Sequence, residues 1–206
     1  MISNTWRSRT RTEWRHGGRT GRRAVAAVLL AAAAALTTAC GNGSAGVEVP
    51  EGWSELRTES VTVARPPEFK EQEAADRGKF NAAAATLEEG GRTVAMISVQ
   101  LNYTDADSVE EAAIGAEAGI ALGSTLKGQE DLRVAGPAKA RDAKRIDFEF
   151  TSTGEQGTPA KGTRVAGVIV AGLDADESTY AVRIDAAKGH LSDDDLKKII
   201  DSITVR

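Results

Sequence analysis

The sequence predicts an α+β fold, an antiparallel β-sheet meander flanked by two helices, set behind a segment removed on export. Three observations carry this expectation. Short runs alternate apolar and polar residues with period two, most cleanly over Arg145-Ile146-Asp147-Phe148-Glu149-Phe150. Two segments carry helix-start signals, at Ser108 and at Ser192. An arginine-rich start runs into thirteen residues of Ala, Val and Leu alone (Ala24 to Leu36), which fits a leader and not a globular element. Runs of strands between two helices imply an antiparallel sheet covered by helices.

The first predicted strand is Ser60–Arg65, stopped by Pro66-Pro67, since proline cannot donate to a ladder. Phe80–Leu87 is the second, weak in side-chain signal across Ala82–Ala85. Thr93–Leu101 is the strongest, and Glu89-Gly90-Gly91 reads as the turn joining these two as a hairpin. Asp107-Ser108 opens a helix with Glu111 three residues on, the spacing of a capping box. Val109, Ala112, Ala113, Ala116 and Ile120 recur at helical spacing to about Leu122, with Gly123 as the stop. Their small size, with Gly115 and Gly119, predicts close approach to a sheet. Strands follow at 132–135, 143–151, 163–173 and 180–186, joined by turns at 154–157 and 174–178. The last helix starts at Ser192 with Asp193, Asp194 and Asp195 in its first turn, where acids meet the positive end of the helix dipole. Leu196, Ile199, Ile200 and Ile203 form its buried stripe.

The leader is informative in its own right. Residues 1–23 hold seven arginines against one acid, Glu13, and the apolar run ends at Thr37-Thr38-Ala39-Cys40. A basic start, about 7–15 apolar residues and a small-residue cleavage site form a secretory signal. A membrane-spanning helix needs about 20 apolar residues, more than this run has. Cys40 is the sole cysteine, so it has no intramolecular disulfide partner. The segment resembles the bacterial lipobox, with Thr38 and Ala39 as the small cleavage flank and Thr37 where a large aliphatic residue usually stands. The resemblance implies a diacylglyceryl group on the Cys40 sulfur and cleavage before it, a cleaved lipoprotein signal peptide. Each buried methylene contributes about 0.8 kcal/mol, so two acyl chains suffice for stable anchoring. The expected organisation is 1–39 signal peptide, 40–49 lipidated tether and 50–206 a single domain. The expected location is the extracytoplasmic face of the cell membrane. Arg22-Arg23 raises the twin-arginine route, but Gly21 before the pair and Ala24-Val25 after it favour general secretion.

The whole chain has 26 basic and 30 acidic residues, and residues 1–39 hold seven and one of these, leaving 19 against 29, a net of −10. So acidic a body has no basic patch for nucleic acid. Its aromatic residues are few (Trp53, Phe69, Phe80, Tyr103, Phe148, Phe150 and Tyr180), which argues against a stacking platform for sugars or bases.

No constellation of catalytic residues stands out. His190 is the one histidine beyond the leader, and it sits in the turn before the last helix. A zinc site lacks histidine and cysteine ligands, and no Gly-x-Ser-x-Gly elbow presents a nucleophile. Asp174-x-Asp176-Glu177, Asp193–Asp195 and the Asp105/Asp107 pair lack the alternating ligands and closing glutamate of a calcium loop. Capping and solvation account for them. A carboxylate pair for glycoside hydrolysis has no fixed spacing, so 29 acids select no two residues. No catalytic residue, metal or cofactor is therefore expected.

Pro50-Glu51-Gly52-Trp53, a strand closing on Pro66-Pro67-Glu68-Phe69, a long meander and a terminal Ile200-Asp201-Ser202-Ile203-Thr204-Val205 form a layout that resembles the PsbP-like superfamily. That superfamily includes extrinsic subunits of photosystem II and short actinobacterial lipoproteins such as the LpqN group. The resemblance spans about residues 50–206. It implies an antiparallel sheet with flanking helices and a binding or assembly role, and it assigns no site residue. The expectation is a lipid-anchored envelope lipoprotein acting as a non-catalytic binding or accessory module, engaging an envelope protein or a small ligand. The rivals are an envelope hydrolase with an unmarked carboxylate site and a carrier of apolar envelope molecules. A carrier needs a large apolar pocket, an enzyme needs converging carboxylates of perturbed pKa, and a binding module needs a filled core and an exposed apolar patch.

Overall fold

A computed structural model describes residues 47–120, 123–155 and 158–206. The expected signal peptide, its cleavage flank Thr38 and Ala39, the lipidation site Cys40 and the spacer 41–46 lie outside the described residues, as does Leu122. The described residues all fall within one compact unit, Asn42–Arg206. Among the described residues the fold is α+β, with antiparallel sheets and two helices.

A seven-stranded sheet forms the frame. Its strands are β3 (Lys70–Glu71), β4 (Ala83–Glu89), β5 (Arg92–Leu101), β6 (Thr125–Val134), β7 (Arg141–Thr151), β8 (Arg164–Leu173) and β9 (Thr179–Ala187), in the order β3-β4-β5-β9-β8-β7-β6. The expected meander is present over β6 to β9. The chain reaches it from β5 by crossing to the far edge through helix α1 (Val109–Ala118), so that β5 and β9 meet at a central seam. The β4–β5 hairpin turns at Gly90 and Gly91, with φ of 58° and 76°. Two consecutive left-handed residues make the turn whose twist matches the strands, and glycine alone adopts them without cost.

A second, three-stranded sheet pairs β1 (Ser54–Arg57), β2 (Val61–Arg65) and β10 (Thr204–Val205) in the order β1-β2-β10. With helix α2 (Asp193–Asp201) it covers one face of the large sheet, and α1 covers part of the other. The main core lies on the α2 side. There Leu56, Val61, Val63, Ile97, Val99, Val182 and Ile203 are fully buried. Each such side chain contributes roughly 1.5–3 kcal/mol by leaving water. On the α1 side Ala113 and Ala116 pack with Ile146, Phe148 and Ile169. Strand β8 is covered on both faces, which is why Val165–Leu173 reads as a nearly continuous apolar run.

Several expectations need correction. The second strand starts at Ala83, and Phe80 stands outside it, 71% exposed. The capping box forms, with the Glu111 amide donating to Ser108 Oγ, but the Glu111 carboxylate reaches one residue further back, to the Asp107 amide. Helix α1 stops at Ala118, where Gly119 caps it by donating to Ala116 O, and not near Leu122. Gly115 brings α1 close to the loop before it: a Cβ there would lie 2.9 Å from Thr104 Cγ2. Strand β6 begins at Thr125, seven residues before the expected start, because only its last residues reach the core. Ile203 is buried as expected, but it follows the α2 cap Ser202 and leads into β10. Strands β1, β3 and β10 were not anticipated.

Candidate binding cleft

Alternation fixes which side chains of the large sheet face α2. Along β8 these are Arg164, Ala166, Val168 and Val170, and along β9 they are Val182, Ile184, Ala186 and then Lys188. Glu149 comes from β7, opposite Ala166. Where β7 and β9 end and β8 begins, the start of α2 leaves part of this face uncovered. The result is a cleft of about 240 Å³. Its floor and back wall are Ala166, Val168, Ile184, Ala186, Leu191 and Leu196. Glu149, Arg164, Lys188 and Asp193 form its charged rim. A second depression of about 330 Å³ continues beneath the same helix, sharing Asp193 and Leu196 and reaching Leu132, Arg145 and Ile200.

The rim charges are ordered. The Lys188 amide donates to Arg164 O at 3.0 Å, so two cationic side chains leave adjacent strand ends on one face. The Glu149 carboxylate accepts from Lys127 Nζ at 3.0 Å and Arg164 Nη2 at 2.6 Å. These two cations, Lys127 foremost, hold its carboxyl below the usual range, so it stays ionised near neutrality. A carboxylate held this way is a poor proton donor.

Helix α2 is fixed at both ends. At its start Ser192 Oγ accepts from the Asp195 amide at 3.0 Å and donates to Asp195 Oδ2 at 2.8 Å. The Lys198 ammonium and then this hydroxyl lower the Asp195 carboxyl. At its end the buried Ser202 Oγ donates to Ile199 O and accepts from the Ala64 amide at 2.8 Å, tying the helix to β2.

A second feature lies on the opposite face. Asp185 accepts through Oδ2 from Arg183 Nε at 2.8 Å, while its Oδ1 is buried and has no hydrogen-bond partner among the described residues. Burial pushes its carboxyl above the ordinary aspartate value, against the pull of Arg183. It borders a small depression of about 100 Å³ lined by Met96, Phe150 and Val165. Asp185 lies on the face away from the cleft that Glu149 and Asp193 both line, so it does not join them.

Of the acids weighed as calcium ligands, Asp174, Glu177 and Asp195 have side-chain partners among the described residues. Asp174 is buried in the β8–β9 turn, and its Oδ1 accepts from the amides of Asp176 and Ser178, both at 3.0 Å. Asp193, Asp194 and Asp195 occupy the first turn of α2. Among the described residues no three His, Cys, Asp or Glu side chains gather as metal ligands. His190 is half-buried, with Nδ1 3.1 Å from Glu89 Oε1. Among the described residues no helix is long and apolar enough to cross a membrane. Of the cleft residues, sequence reasoning had named Leu196 as core and the first-turn aspartates as caps. It missed Glu149, Arg164 and Lys188 as a group, because only the pairing of three strands brings them together.

No family model matches this sequence, and no curated protein does either. Solved structures give distant likenesses. One is a Bacteroides thetaiotaomicron protein, 12% identical with a TM-score of 0.40, matched over 71% of this chain and 45% of its own. Another is the Ran-binding protein Mog1p of Saccharomyces cerevisiae, 11% identical with a TM-score of 0.45, matched over 74% of this chain and 95% of its own. The chain thus spans less than half the length of the Bacteroides structure. At these values neither likeness carries a function.

Proposed function

We propose that this chain is an exported lipoprotein, cut before Cys40 and held at the outer face of the cell membrane by a diacylglyceryl group on that sulfur. Its folded unit, of PsbP-like kind, serves there as a non-catalytic binding or accessory module. The cleft beneath α2 is the surface that engages its ligand or envelope partner. The observation that carries the reading is the sole cysteine standing directly behind a basic start, thirteen apolar residues and two small residues.

The folded unit supports the binding role over its rivals. The cleft beneath α2 opens to solvent along its charged rim, where a carrier of apolar molecules needs an enclosed cavity. Glu149 is held ionised by two cations, where a hydrolase needs a carboxyl kept protonated beside an ionised one. Fractionation of cells expressing Cys40→Ala tests the proposal. The variant is expected in the medium or as an uncleaved precursor. A cleaved variant that stays with the membrane like the wild type would sink the anchor.

A further inference from the structure

We propose that the cleft beneath α2 binds small amphiphiles with one anionic head, a carboxylate or a phosphate ester, on a short apolar tail. This deepens the binding-module reading and rests on it. The head would sit at Lys188 and Arg164, and the tail would lie on Ala166, Val168, Ile184 and Leu196.

The charge pattern at the rim motivates the choice of head. Arg164 and Lys188 stand with Glu149 at one end of the cleft, and Lys127, outside the lining, reaches Glu149 from β6. Glu149 is engaged by Lys127 and Arg164 together. Among the described residues Lys188 takes part in no ion pair, although it borders the same mouth. The one acid on the facing wall, Asp193, sits in the first turn of α2, where the helix dipole offsets part of its charge. With Lys127 behind Glu149, three cations stand against Glu149 and Asp193. This small local excess of positive charge, on a body of net charge −10, draws anions where the surface as a whole repels them. Both Lys and Arg donate to carboxylate and phosphate oxygens, so the two heads share this chemistry.

The lining sets the tail. The cleft surface beyond the rim is aliphatic, and Ala166 on its floor remains exposed to solvent. An apolar chain laid there removes that surface and its own from water. At about 240 Å³ the cleft is smaller than a site for a drug-sized ligand and suits a molecule with a short tail. Hexanoate is such a molecule. Longer tails can pass under Leu196 into the depression that continues towards Leu132 and Ile200.

Isothermal titration of the full-length chain with sodium hexanoate, hexyl phosphate, 1-hexanol and hexylamine tests this. Saturable binding of one or both anions is expected, with hexanol and hexylamine about tenfold weaker or worse. The preference between hexanoate and hexyl phosphate identifies the head. Lys188→Glu is expected to weaken the anions by about tenfold, and Lys188→Arg to retain them. Neither should move the thermal midpoint, because the side chain is exposed. Ala166→Phe, which fills the floor, is expected to abolish binding. Hexanol or hexylamine binding as tightly as the anions would overturn the proposal. So would Lys188→Glu leaving anion affinity unchanged, or no saturable heat with any probe. Those failures leave the lipid anchor standing, since it is read separately from the fractionation of Cys40→Ala.

Discussion

The Phe148 ring occupies the space that a side chain on Gly167 would fill. The two residues lie opposite each other on β7 and β8, and a Cβ at Gly167 would come within 2.5 Å of Phe148 Cε2. The same ring carries the Arg183 guanidinium, whose Cζ is 5.0 Å from its centroid, and stacks on Phe150 at 6.2 Å. A small residue in β8 thus positions an aromatic ring, and the ring positions an ion pair.

Gly167→Ala is therefore expected to destabilise the fold by about 1–3 kcal/mol, the usual cost of overpacking a filled site. Urea unfolding at equilibrium measures it. A change below about 0.5 kcal/mol would mean that Phe148 has another low-energy rotamer in this core, and the stack would not be the constraint described.

Ser202→Ala removes the acceptor of the Ala64 amide and leaves that buried N–H without its partner. The expected loss is about 1–3 kcal/mol. Hydrogen exchange should locate the effect at β2 and α2. Protection lost evenly across the molecule would show that this bond does not specifically join them.

Asp185→Asn should change the pH dependence of stability in a defined direction. The native carboxyl titrates above its unfolded value because of burial, with Arg183 opposing, so the native state holds the proton to higher pH than the unfolded chain. Wild-type stability therefore falls relative to the asparagine variant as pH rises from the ordinary aspartate value through the raised one. Above that window the difference is constant. Chemical denaturation of both proteins across the acid range reads this. A wild type that gains on the variant as pH rises would mean that the Arg183 pair outweighs burial.

Asp174→Ala is expected to cost about 1–3 kcal/mol by leaving the Asp176 and Ser178 amides unanswered in the β8–β9 turn. Calcium or a chelator should leave the melting temperature of the wild type unchanged. A shift of several degrees with either would assign these acids to a cation instead.

How much of this could be seen in the sequence depended on how local each signal was. The alternation of Ile146, Phe148 and Phe150, the Gly90-Gly91 turn and the caps at Ser108 and Ser192 act within a few residues, and each stands where it was expected. Strand β6 did not announce itself over Thr125–Asp131. It is an edge strand, exposed on both faces, and its side chains show no period that burial could impose. Strands β1 and β10 are too short for a pattern and exist because β2 offers them partners. The cleft was illegible for a related reason. Glu149, Arg164, Lys188 and Leu196 look like ordinary surface or helix residues until strand register brings them together.

The seam between β5 and β9 has a consequence for how the molecule assembles. Strands β3 to β5 and β6 to β9 can each zip from neighbouring hairpins, but pairing Ile97 with Ile184 requires the chain to close a loop through α1 and the whole meander. Loop closure of that length is slow relative to hairpin formation, so the two half-sheets should form early and the seam last. Stopped-flow refolding of variants at Ile97 would then show little change in folding rate and faster unfolding. The half-assembled species would expose two long unpaired edges, and during that interval the chain would be most vulnerable to misassociation.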